Sequence, residues 1–214
     1  HLFLGTSEPS RYIRVKCYVR MNMDIHLYQQ LTDERLVSLI NDGDEEACSE
    51  LYARYSQRML MYFFRMLNYN EEKAQDFLHD LFIKVIEKAS LFDGQRRFST
   101  WLYTVASNMC KNEYRSREVR KILAYTGQPI EKVDEDEHSL DDILQMKQFG
   151  SCLQEELHQL NEIHREVVIL RYQEELSIKE ISQVMACTEG TVKSRIFYAL
   201  KKLAACLKAF KPEH

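Results

Sequence analysis

The chain has 214 residues, 45% of them hydrophobic and 29% charged, enough for one large or two small packed domains. Three Pro and six Gly among many Leu, Glu, Lys and Arg point to an all-α protein. No apolar run approaches the ~20 residues that span a bilayer, and the cysteines at 17, 48, 110, 152, 187 and 206 form neither a CxxC pair nor a zinc spacing, so direct membrane insertion and a disulfide or zinc scaffold are excluded and reduced thiols of a cytoplasmic protein remain.

The net charge of −4 is the wrong sign for a stand-alone DNA binder, which draws its affinity from neutralising phosphates. The charge is segregated, however. Residues 95–121 carry a net +5, residues 190–211 a net +6 with no acid, and residues 131–142, EKVDEDEHSLDD, a net −6. Two basic surfaces with an acidic stretch between them imply two DNA contacts, and a further partner that carries the protein to DNA.

In chain order, residues 1–30 read as an extension that is non-native or disordered. Ile13, Val15, Cys17 and Val19 alternate weakly with charged and polar residues, no signal peptide is recognisable, and the natural start is expected at Met21 or Met23. A first helical domain spans 31–120. Thr32 or Asp33 caps a short helix that ends near Gly43, and Asp44 opens a long one rich in aromatic residues. Asn70, with Glu71 and Glu72, opens a third helix through Lys88. The loop LFDGQRR precedes a fourth helix from Ser99 to Val119. Residues 121–139, with Gly127, Pro129 and the acid run, read as a linker. A second helical domain spans 140–214, with a helix from Asn161 to Gln173 and then a helix-turn-helix.

That last unit, LSIKEISQVMACTEGTVKSRIFYALKKL at 176–203, is the most informative stretch. Ser177 and Glu180 form a capping box. Ile178, Ile181, Val184 and Met185 make a buried stripe, the turn falls at Ala186–Cys187–Thr188, and Thr188 caps the second helix. Val192, Ile196, Leu200 and Leu203 are expected to pin that helix to the first. Gly190, Thr191, Ser194, Tyr198 and Lys201 then point outward, with Lys193 and Arg195 on the flanks. Small and basic residues at an exposed helix start are what a DNA major groove admits.

Two further constellations stand upstream. On EEKAQDFLHDLFIKVIEK, Asp76, His79, Asp80 and Lys84 share one face while Phe77, Leu81 and Val85 face the core and Phe82 lies between. In RFSTWLYTVASNMCKNEYRSR and the loop before it, Phe92, Phe98, Trp101 and Tyr103 offer rings, and Arg96, Arg97, Lys111, Arg115 and Arg117 offer phosphate contacts. Asn108 lies on the surface of Trp101 and Lys111 and can bond a base edge. Opening a duplex costs a few kcal/mol per unstacked base, so an opener must supply replacement stacking and charge. A single Trp in a helical domain also serves well as a core anchor.

Taken in order, these three segments resemble bacterial RNA polymerase sigma factors of the extracytoplasmic-function class, over about residues 31–209. The resemblance rests on the docking helix, on the F-x-x-W-L-x-x-x-A-x-N pattern and on the helix-turn-helix. It implies that Asp76, His79, Asp80 and Phe82 bind the clamp helices of the largest subunit of core RNA polymerase. It implies that Phe92, Arg96, Arg97, Phe98, Trp101, Asn108, Lys111 and Arg115 recognise and melt the −10 element of promoter DNA. It assigns Glu189, Gly190, Thr191, Lys193, Ser194 and Arg195 to the −35 major groove, and an anti-sigma factor as a partner. The usual D-L-x-Q-E-x-F reads Asp76-Phe77-Leu78-His79-Asp80-Leu81-Phe82, and Asn161 stands where Pro is common. No enzyme activity or cofactor is expected. The pairs Asp76/His79 and Glu155/His158 have di-metal spacing, but the carboxylates from two further helices that such a site needs are not found. The alternative reading is a helix-turn-helix regulator whose N-terminal domain is a sensor, distinguished by operator binding without polymerase.

Overall fold

The computed structural model of the protein describes residues 25–124 and 154–207. Its elements are helical: α1 (Ile25–Gln30), α2 (Asp33–Asn41), α3 (Glu45–Met66), α4 (Glu71–Glu87), a 3-10 turn (Ala89–Leu91), α5 (Phe98–Ala124), α6 (Glu162–Val168) continued by a π turn (Ile169–Gln173), α7 (Ile178–Val184) and α8 (Glu189–Leu207). Residues 154–159 are helical ahead of α6.

The helix starts follow their caps. Side chains of Thr32, Asp44, Asn70 and Asn161 each accept from the backbone N–H three residues on, at 3.3, 3.2, 2.8 and 2.9 Å. Asn161 therefore starts α6 without the Pro. At the far end of α3, Asn68 and Tyr69 both adopt positive φ (60° and 59°), which turns the chain sharply into α4.

The core is built on α3. Its residues Leu51, Met59, Tyr62, Phe63 and Met66 are essentially inaccessible to solvent. They pack against Leu36 of α2, Leu81 and Val85 of α4, and Leu102 and Ala106 of α5 in a single hydrophobic cluster. Full burial of each large side chain contributes roughly 1.5–3 kcal/mol.

Helix α1 corrects the expectation of an extension through residue 30. It packs on α3, where Tyr28 is buried and donates to the carboxylate of Asp44 at 3.1 Å. Arg54 closes its C-terminal end, donating to the carbonyls of Tyr28, Gln29 and Leu31 while ion-paired with Asp33 at 2.7 Å. Helix α5 continues through Ala124, into the expected linker. The rest of that linker with its acid run, residues 140–153, the alternating segment 13–19 and the tail 208–214 lie outside the described residues.

The C-terminal module does not stand apart. α7 packs on α5 and α6 on α3, and the contact carries buried polar groups. Tyr62 donates to Glu166 at 3.2 Å, and Tyr103 donates to Glu174, which also pairs with Arg58 at 3.3 Å. Glu166 and Glu174 are 3% and 5% exposed, so these partners replace water. The π turn, with Glu175 at φ 58°, brings Glu174 round to face α5. Arg165, also buried, donates to Asn68 across the contact at 2.8 Å and to the carbonyls of Leu157, His158 and Leu160 within its own module.

Candidate nucleic-acid and polymerase interface

The helix-turn-helix forms as its sequence dictates. Ser177 accepts from the Glu180 N–H at 3.2 Å and Glu180 accepts from the Ser177 N–H at 2.9 Å, closing the capping box. Burial opposes ionisation of Glu180, but its bonds to Ser177 and Arg97 outweigh burial and hold the carboxyl below its ordinary range. Ala186 takes a positive φ of 50° in the turn, and Thr188 accepts from the Thr191 N–H at 3.2 Å to start α8. Ile181, Val184 and Met185 are buried and Ile178 is half-buried.

At the start of α8, Glu189, Gly190, Lys193 and Ser194 are exposed, while Thr191 and Arg195 are half-buried. The Arg195 guanidinium lies 3.4 Å from the Cys187 sulfur. A Cβ at Gly190 would meet only the Thr188 hydroxyl, at an ordinary 3.8 Å, so nothing within the described residues requires glycine there. The packing stripe of α8 differs from expectation. Val192, Ala199 and Leu203 are buried and Ile196 is half-buried, whereas Leu200 is 39% exposed. The steps 192, 196, 199 and 203 keep one face, and Leu200 sits 100° further round. With Phe197 and Tyr198 it leaves the outer side of α8 partly apolar.

The start of α5 is fixed by two carboxylates. Asp93 accepts from the Gln95 N–H at 3.0 Å and orders the turn after Phe92. Glu34 of α2 accepts from the Phe98 N–H at 3.0 Å, serving as a cap that no local sequence signal gives away. Phe92, Phe98 and Trp101 form one aromatic cluster, with ring centroids 5.5–6.0 Å apart. Phe98 is fully buried, packed also on Tyr55, and Tyr103 is buried as well. Both are core residues, which corrects the expectation that their rings are free for bases. Phe92 and Trp101 are half-buried and keep one side open. Asn108 and Arg115 are exposed and Lys111 is half-buried, and the seven-residue steps from Trp101 to Asn108 to Arg115 keep these three in line. Arg96 and Arg97 are exposed, but Arg97 is paired with Glu180 at 2.8 Å. Arg117 is held by Glu113 at 2.9 Å instead of standing free.

On α4, Asp76, His79 and Asp80 are exposed on one face, and Leu81 and Val85 are buried. Phe82 is buried too, its ring 4.7 Å from Tyr52, which corrects its expected place on the surface. What it supports is exposed: Tyr52, with Ile83 and Ile86, forms an apolar rim that the sequence reading missed. Among the described residues, no three His, Cys, Asp or Glu side chains gather to hold a metal ion, and no helix is long and apolar enough to cross a membrane.

Residues 51–120 match Sigma-70 region 2, and residues 150–203 match Sigma-70, region 4. The RNA polymerase sigma-H factor of Pseudomonas aeruginosa is 31% identical over 185 residues, 84% of this chain and 95% of that protein. The ECF RNA polymerase sigma-E factor of Haemophilus influenzae is 33% identical, over 80% of this chain and 93% of that protein. In fold, the chain is similar to CnrH, solved in complex with the cytosolic domain of CnrY (TM-score 0.60, 24% identity, 84% of this chain and 99% of that one). It is also similar to the sigma factor RpoE, solved with the anti-sigma factor NepR from Bartonella quintana (TM-score 0.59, 21% identity, 76% and 98%). With both regions present in order on an all-α fold, the chain belongs to the extracytoplasmic-function class of RNA polymerase sigma factors.

Proposed function

We propose that this protein is a promoter-specificity subunit of the cytoplasm, which binds core RNA polymerase, directs it to one promoter class and helps to open the DNA. The acidic face of α4, Asp76, His79 and Asp80, docks on the clamp helices, with the Tyr52 and Ile83 rim beside it. The start of α8, from Glu189 to Arg195, lies in the −35 major groove. The Phe92–Arg97 loop and the Trp101, Asn108, Lys111 and Arg115 face take the −10 element. The polymerase carries the metals and the bond-making chemistry, so this chain contributes binding energy only. An anti-sigma factor is a further partner, in keeping with the family.

The observation that carries this reading is the order of the two sigma regions over most of the chain. The exposure of Asp76 and Asp80 on one module and of Lys193 and Ser194 on the other supports it. Run-off transcription with core polymerase on fragmented genomic DNA tests it. Addition of the protein is expected to select start sites that share one −35 and one −10 motif. Tight operator binding without polymerase, and no selected start sites, favours the regulator with a sensor domain.

A further inference from the structure

We infer that Glu34, on a helix that bears none of the proposed DNA contacts, is a positioning residue for −10 recognition: it caps α5 from outside and so sets the loop 92–97 and the open sides of Phe92 and Trp101. The inference rests on the sigma-factor reading and deepens its −10 site.

The start of α5 breaks two local rules. The Arg97 carbonyl accepts from the Trp101 N–H at 3.2 Å, so Arg97 stands at the cap position. An arginine side chain carries donors only and cannot satisfy the free N–H groups of a helix start. Arg96 and Arg97 also bring their positive charges to the positive end of a 27-residue helix dipole. Local conflicts of this kind collect at functional sites, and these two arginines stand in the loop proposed to take the −10 element. Both the missing acceptor and the missing negative charge come from Glu34, whose Oε1 accepts from the Phe98 N–H at 3.0 Å. Glu34 is half-buried in the first turn of α2, so the backbone of a helix packed on α3 decides where that oxygen stands.

The same turn of α2 holds the aromatic platform from beneath. Asp33 accepts from the Tyr55 hydroxyl, and the Tyr55 ring packs edge-on to Phe98 at 5.3 Å. Phe98 in turn carries Trp101 at 5.9 Å and Phe92 at 6.0 Å. Helix α2 also packs on the 3-10 turn that leads into Phe92. Both ends of the loop are thus tied to one helix. Asp93 closes only its middle, through the Gln95 N–H at 3.0 Å and the Arg96 guanidinium at 3.5 Å. A site that selects a base must hold its groups to within about 0.5 Å, and a loop anchored at one end alone does not.

Two conservative variants separate reach from charge. Glu34→Gln keeps an oxygen acceptor in place and loses the charge. Glu34→Asp keeps the charge and withdraws the oxygens by about one carbon–carbon bond, roughly 1.5 Å, out of hydrogen-bond range. The probe is the non-template single strand carrying the −10 motif found by run-off transcription, with each −10 base replaced in turn, titrated with holoenzyme made from the full chain. Wild type and Glu34→Gln are expected to prefer the motif to the same extent, and Glu34→Asp to lose about tenfold of that preference. Affinity for core polymerase, read by anisotropy, is expected to be equal in all three. Full discrimination by Glu34→Asp overturns the inference. So does a loss of polymerase affinity in step with discrimination, because a defect of the fold lowers both. Loss of discrimination by Glu34→Gln overturns it in favour of the charge. Absence of any base preference in the wild-type holoenzyme would instead remove the −10 reading beneath it.

Discussion

The Tyr103 hydroxyl donates to the Glu174 carboxylate across 71 residues of sequence, and both groups are buried. Burial foremost, then the neighbouring Glu174, pushes the Tyr103 phenol well above its ordinary range, so it stays protonated and remains a donor. Tyr103→Phe leaves Glu174 with Arg58 as its remaining side-chain partner. A loss of about 1–3 kcal/mol is expected. Urea unfolding followed by circular dichroism checks it. A midpoint equal to that of wild type would mean that the two modules do not meet in solution as they do here.

His164 is expected to give the protein a pH dependence. It lies half-buried on α6, and its Nδ1 has no hydrogen-bond partner among the described residues. Burial, then Lys202 and Arg195 on α8, lowers its pKa below the ordinary value near 6.5. The folded state therefore favours the neutral ring. That contribution is complete above about pH 6.5 and is lost as the pH falls, because the unfolded chain takes up the proton first. Stability is expected to drop between pH 7.5 and 5.5, and His164→Gln to reduce the drop. Urea midpoints at the two pH values decide it, and equal drops in both proteins contradict it.

Lys193 is exposed at the start of α8, one helical turn after Glu189. As a phosphate contact, its replacement by Ala should weaken promoter binding by the holoenzyme at every sequence alike. The slope of log affinity against log salt should flatten by about 1. An unchanged slope assigns Lys193 to solvent.

Much of this fold was legible locally. The caps at Thr32, Asp44, Asn70, Ser177 and Thr188 lie within three residues of what they bind, so the chain announces them. The outward face of Asp76, His79 and Asp80 follows from helical period alone. What stayed hidden depends on partners distant in sequence. Phe98 and Phe82 look like surface rings until Tyr55 and Tyr52 cover them. Glu34 caps a helix 64 residues away, and Glu166 finds Tyr62 across 104. Tyr28 joins the core through a helix of only six residues, and Ala199 instead of Leu200 continues the buried face of α8.

Asn108 is exposed between Trp101 and Arg115 on the outer line of α5. If it holds a base edge of the opened strand, Asn108→Ala should reduce permanganate reactivity of −10 thymines about tenfold, in line with the 1–3 kcal/mol of one good base contact. Formation of the closed complex should stay intact. Equal loss of both steps would place Asn108 in ordinary duplex binding.

Polymerase docking underlies every other role proposed for the chain, and on α4, the proposed docking helix, Asp80 is exposed. Fluorescence anisotropy of the labelled full chain titrated with core RNA polymerase measures it directly, for wild type and for Asp80→Arg. Tight wild-type binding, weakened at least about tenfold in the charge-reversed variant with an unchanged circular dichroism spectrum, is the expected result. Equal binding by both proteins contradicts the docking face, and no binding by wild type, beside an active control sigma factor, contradicts the sigma function itself.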